Sequence, residues 1–198
     1  MLRSAYRGLR RFYARSQLYW ARLRFRDDAV RVGELQPGDV ARVQAAFGVA
    51  GSQPKPVDLQ AQAREEIGIV VAWLGRRPVG IGFVEWQGPR DAELRQSWQG
   101  VPEIHRLWVM PRCRTVGIGA ALMRHIEDQA RARGLTRIGL GVHDTNLRAR
   151  ALYLRLAYQP DPRGYCDRYL AAAPDGGPAR QVSVPATFMV KTLVDRTI

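Results

Sequence analysis

Residues 103–122 read EIHRLWVMPRCRTVGIGAAL. The first part, 104–110, is apolar and rich in large side chains, and Pro111 cuts it off, which predicts a buried strand. A basic turn follows (Arg112, Cys113, Arg114), then Thr115-Val116-Gly117-Ile118-Gly119, then a helical pattern. A strand that passes through a glycine-containing turn into a helix builds an anion site. The first helical turn has unpaired N–H groups and the positive end of the dipole. Gly117 and Gly119 carry no side chain to hold a phosphate away, and Arg114 adds a full charge at the mouth. The chemistry implied is the cradling of a pyrophosphate.

Elimination narrows the ligand. A dinucleotide fingerprint needs a third small residue where this chain has Leu122, and no Gly-Lys-Ser/Thr exists for a Walker A loop. What remains is Arg-x-x-Gly-x-Gly at 114–119, directly after a Val-x-Pro strand end. It resembles the coenzyme A loop of the GNAT superfamily of N-acetyltransferases. Downstream, Asn146, Ala149, Leu152-Tyr153 and Ala157-Tyr158 resemble that family's N-x-x-A-x-x-L-Y-x-x-x-G-F helix. Two departures stand out: Thr115 replaces the glycine usual after the arginine, and Ala157-Tyr158 stands where Gly-Phe is common.

Composition bounds the rest. The chain has 198 residues, of which 46% are hydrophobic, enough for one domain with a proper core. No apolar run is long enough to span a membrane. Two scattered cysteines, Cys113 and Cys166, suit neither a disulfide framework nor a zinc site and imply a reducing, cytoplasmic setting. The histidines at 105, 125 and 143 lack ligand spacing, so no metal is expected. A serine-hydrolase G-x-S-x-G is missing as well. The net charge of +13 is uneven: residues 1–26 hold eight arginines and no acid, leaving +5 for the remainder. Residues 1–28 therefore read as a basic amphipathic arm, with Leu2, Tyr6, Leu9, Tyr13, Trp20 and Leu23 at helical spacing. It could be a surface helix meeting an anionic surface, a targeting sequence or a packing helix.

Residues 29–198 form the expected catalytic domain. Strands are predicted at 30–35, 67–73, 79–86, 104–110, 136–142 and 186–193. Helices are predicted from 40 to 47, 57 to 66, 118 to 133 (ended by Gly134) and 146 to 156. Residues 87–102 read as a loop, and 161–183, rich in proline and glycine, as an irregular excursion. Period-two alternation along the organising strand puts Glu103, His105, Leu107 and Val109 on one face. The order β-α-α-β-β-β-α-β-α-β-β is that of an α/β GNAT fold, a mixed central sheet flanked by helices.

The resemblance implies acetyl-CoA as co-substrate and a small-molecule or protein amine as acceptor. It implies that Leu107, Trp108 and Val109 lie on a splayed strand that binds the pantetheine arm, with the thioester oxygen near the Val109 amide. Arg114, Thr115, Val116, Gly117, Ile118, Gly119 and Ala120 would hold the pyrophosphate. Tyr153 stands seven residues after Asn146, two helical turns on, so both share a face. Asn146 would contact the cofactor while the Tyr153 hydroxyl protonates the departing thiolate. Glu103 is the first candidate to drain the amine's proton, with His105 and Glu85 as alternatives. Two other functions stay open: a non-catalytic acetyl-CoA-binding module, and a nucleic-acid-associated protein acting through the arm. A homodimer is also left open.

Overall fold

The computed structural model describes residues 30–48, 52–171 and 180–193. The basic arm lies outside the described residues. The chain runs β1 (Val30–Glu34), α1 (Val40–Phe47), α2 (Pro56–Ala63), β2 (Ile67–Leu74), β3 (Arg77–Glu85), α3 (Ala92–Ser97) and β4 (Glu103–Val109). Then come α4 (Ile118–Ala132), β5 (Arg137–His143), α5 (Leu147–Arg155), β6 (Gln159–Pro160), β7 (Tyr165–Ala171) and β8 (Arg180–Thr192). The strands form one sheet in the order β1-β2-β3-β4-β5-β8-β6, with β7 also paired to β8. Neighbours are antiparallel except β4 and β5, which are parallel.

Strands β2 and β3 are unbroken apolar runs because both faces of the sheet are covered. Helix α4 buries Ile118, Leu122, Ile126 and Ala130 on one face, against Val70, Ala72 and Val84. On the other face α1 packs Val43 and Phe47 against Ile69, Val71, Ile81 and Phe83. The α4 contact is close because of Gly80: a Cβ there would lie 3.0 Å from both Ile118 Cγ2 and Leu122 Cδ1. Truncating the fully buried Leu122 to alanine costs about 2–5 kcal/mol at such a site. Gly134, at φ +71, follows the end of α4 as the glycine signal predicts.

Three expectations need correction. Residues 87–102 are not all loop. Asp91 caps α3 by accepting from the Glu93 and Leu94 amides, each at 3.0 Å, but six residues burying only Leu94 leave no periodic signal. The excursion at 161–183 contains regular strand: β7 pairs with the 180–186 half of β8, while β5 pairs with its 186–192 half. The final strand therefore starts earlier than position 186. Strict alternation also fails along β4. Gly82 of β3 faces two residues, Arg106 and Leu107, at a bulge where Arg106 takes φ +50. Glu103 and His105 pair with Glu85 and Phe83 and so share a face with Trp108, whereas Leu107 and Val109 turn to the α4 side.

Candidate functional site

The parallel pair at the centre of the sheet is incomplete. Only Glu103 and Ile104 of β4 pair with β5, opposite Gly139 and Leu140. Beyond them the strands part, and β4 continues along β3 alone. Val109 stands opposite Gly80, and the Met110 amide bonds the Val79 carbonyl at 2.9 Å. That pattern makes Val109 a non-hydrogen-bonded position toward β3, so its own N–H and C=O face the opening. Its carbonyl accepts Arg114 Nε at 2.9 Å, and the Arg114 guanidinium lies 5.7 Å from the centre of the Trp108 ring.

The loop after β4 is a tight turn anchored by buried Cys113, whose amide bonds the Met110 carbonyl at 2.8 Å. Gly117 caps α4 in the left-handed region at φ +93. Thr115 takes φ +68 and Ala157 takes φ +67, so both departures from the family's glycines fall where glycine is the unstrained choice. Helix α5 closes against the first turn of α4: a Cβ on Gly119 would reach Leu152 Cδ2 at 3.3 Å. Between β4, the loop and α5 lies a cleft of about 520 Å³. Leu107, Trp108, Val109, Arg114, Thr115 and Gly117 line it, as do Gly119, Ala120 and Asn146. Val116 and Ile118 do not; both pack into the core, which leaves only their backbone to serve a ligand.

A second cavity of about 1060 Å³ lies on the other side of the same point. Its walls include Glu103, His105 and Glu85 from the sheet, Arg90 from the segment before α3, and Tyr165 from β7. The Glu103 carboxylate accepts the Arg90 amide at 2.8 Å, and burial raises its pKa above the usual range. Burial likewise raises Glu85, which is partly open to solvent. His105 is driven down to about 3, first by burial and then by the charges of Arg90 and Arg106, so it is neutral at ordinary pH. Arg106 does not enter as a free charge: it pairs with Asp58 at 2.8 Å and lies over the Phe83 ring.

The two cavities share Leu107, Asn146 and Tyr153. Asn146 caps α5, its Oδ1 accepting the Ala149 amide at 3.2 Å, which leaves its Nδ2 for other partners. Tyr153 is 8% exposed, and burial pushes its hydroxyl up to about 12. Its ring stands 6.2 Å from that of Tyr158, so it is both a packed aromatic and a wall of each cavity. Sequence reasoning missed Arg90, Tyr165, Arg148 and Arg155 as lining residues. The first two sit in segments without a legible element. The last two are ordinary helix-face charges until the cleft is seen.

The sequence profile of the Acetyltransferase (GNAT) family matches residues 39–158, from the turn before α1 to the end of the α5 motif. The chain belongs to the GNAT acetyltransferase family. Solved structures share this GNAT fold at low identity. The Arabidopsis thaliana NAA60 in complex with a bisubstrate analogue aligns with a TM-score of 0.62 at 16% identity, over 82% of this chain and 97% of that one. The Salmonella typhimurium yncA with its cofactor acetyl-CoA aligns with a TM-score of 0.61 at 14% identity, over 86% and 98%. The ribosomal-protein-alanine N-acetyltransferase from Brucella melitensis aligns with a TM-score of 0.60 at 16% identity, over 82% and 99%. No curated protein matches the chain.

GNAT enzymes use acetyl-CoA, and the smaller cleft suits it chemically. It offers an open strand edge at Val109, a glycine-capped helix N-terminus at Gly117, and no acidic side chain along its walls. Among the described residues no helix is long and apolar enough to cross a membrane, and no three His, Cys, Asp or Glu residues are grouped to hold a metal ion.

Proposed function

We propose that this GNAT protein moves the acetyl group of acetyl-CoA to a primary amine, of a small molecule or a protein, by direct transfer in one ternary complex. The supporting observation is the junction of the two cavities at Leu107, Asn146 and Tyr153. Donor and acceptor can meet there without an acyl-enzyme carrier. The two thiols stand apart from it: Cys113 is buried under the loop and Cys166 is on the exposed side of β7, and neither lines a cavity. Both are free, which supports a reducing compartment such as the cytoplasm.

Acetyl-CoA supplies an activated thioester whose carbonyl is attacked by the neutral amine. The protein's part is binding, polarisation and proton movement. The backbone from Arg114 to Ala120 and the dipole of α4 hold the pyrophosphate, and the outward edge of Leu107, Trp108 and Val109 holds the pantetheine arm. The Val109 amide donates to the thioester oxygen, where negative charge develops. Asn146 Nδ2 steadies the arm beside Tyr153. Tyr153 is a neutral phenol across the working range, so its hydroxyl can protonate the departing thiolate. Glu103 takes the amine's proton through water. Its raised pKa brings it closer to neutral pH, which improves it as a base. Glu85 and neutral His105 stand beside it as the polar wall of the acceptor side.

The test is a thiol-release assay over a panel of small amines and peptides, with products identified by mass and initial rates measured against both substrates. Intersecting rate patterns and an N-acetylated product are expected. Parallel patterns together with an acetylated protein intermediate would overturn direct transfer.

A further inference from the structure

The two cavities differ in charge in a way that the pyrophosphate loop does not explain. Five acids stand along the acceptor cavity, Asp58, Glu85, Asp91, Glu103 and Asp167, against four lysines and arginines. The donor cleft has none, and it holds three arginines: Arg114, Arg148 and Arg155. Arg114 belongs to the loop and is tethered to the Val109 carbonyl. The other two project from α5, whose Leu152 packs against Gly119 in the first turn of α4. Seven residues apart, they lie on one helix face roughly 10 Å from each other along the axis. Neither forms an ion pair among the described residues, whereas Arg150, on the same helix, bonds the Thr187 hydroxyl at 3.4 Å and lines neither cavity. Two cations on an acid-free wall beside a phosphate site are surplus to a pyrophosphate already served by backbone N–H groups, a helix dipole and Arg114.

We infer that Arg148 and Arg155 form a second phosphate site, which takes the 3′-phosphate monoester of coenzyme A and lets the enzyme distinguish it from the 3′-dephospho form. This rests on the acetyl-CoA reading of the cleft. A phosphate monoester carries close to two negative charges at neutral pH, and planar guanidinium forks match its oxygens. Both side chains are solvated, so each contributes modestly and the contact weakens with salt.

The measurement is calorimetric affinity for acetyl-CoA and for acetyl-3′-dephospho-CoA, in the full chain. The wild type should favour acetyl-CoA by about tenfold at low salt, the scale of two exposed ion pairs to a dianion. Arg148→Gln/Arg155→Gln keeps good helix formers and should bring the two affinities within about twofold by weakening acetyl-CoA alone. Arg150→Gln should leave the ratio as in the wild type. Equal affinities in the wild type, or a double variant that weakens both thioesters alike, would overturn the second phosphate site while the acetyl-CoA reading stands. Binding of neither thioester would overturn both.

Discussion

Arg90 Nη1 lies 3.0 Å from His105 Nδ1. A guanidinium only donates, so Nδ1 must accept and the imidazole proton sits on Nε2. Nε2 faces Glu85 Oε1 at 3.6 Å, within reach of its charge but too far for a hydrogen bond, and it has no hydrogen-bond partner among the described residues. One contact thus selects the tautomer of a buried ring in the wall of the larger cavity.

His105 should mark the pH dependence of stability. The folded ring gains its proton only near pH 3, whereas its ordinary value is 6.5. Between those values the unfolded chain binds more protons, so stability is whole above pH 6.5 and falls as pH drops through the window. Glu85 and Glu103, raised by burial, act in the opposite sense and mask part of it. His105→Asn keeps an acceptor for Arg90 without a titrating ring. Denaturant midpoints at pH 7 and pH 4 should show a smaller loss in the variant, the difference being on the order of a few kcal/mol. Parallel pH curves for the two proteins would contradict it.

Tyr153→Phe should lower turnover by roughly 10²-fold, a typical loss for a general acid, while acetyl-CoA affinity changes little. In the proposed mechanism the hydroxyl acts on the leaving group rather than on the bound ground state. Normal turnover, with chemistry confirmed as rate-limiting by single-turnover kinetics, would remove the assigned acid.

Glu103→Gln keeps an acceptor for the Arg90 amide but cannot take a proton. The rising limb of kcat/KM against pH should move toward the free amine's own pKa, with a loss of about 10²-fold at neutral pH. An unshifted limb would pass the role to Glu85, the next carboxylate on that face.

Thr115→Gly and Ala157→Gly should each raise stability by about 0.5–1 kcal/mol. Both residues sit at positive φ, and relief of that strain outweighs the extra chain entropy of glycine. Thermal unfolding checks both. Thr115 is the stronger case because a β-branched residue is rarely found there.

A chain beginning at Ala29 should fold and bind acetyl-CoA with unchanged affinity. The family profile starts at residue 39, and the two cavities are lined from residue 55 onward. Any salt-sensitive association with anionic vesicles or polynucleotides should be lost, because the arm's eight arginines are removed. Loss of acetyl-CoA binding on truncation would show that the arm supports the domain.

The glycine turn after β4, the α4 stripe and the Asn146 cap were legible because each is written within one or two helical turns. A glycine pair after a strand, apolar residues at 118, 122, 126 and 130, and an Asn three residues before Ala149 need no distant partner to take effect. Other features depended on what lay across the sheet. Leu107 left the face of His105 only because Gly82 opposes two residues, a mismatch of register between β3 and β4 that neither strand carries alone. Residues 165–171 became a strand because 180–186 lay beside them, despite the prolines that read as a break. Arg90 and Tyr165, 75 positions apart in the chain, reached the wall around Glu103 through that same long-range packing. Local hydrogen bonding sets turns and caps, while register and the convergence of distant side chains arise only when strands pair.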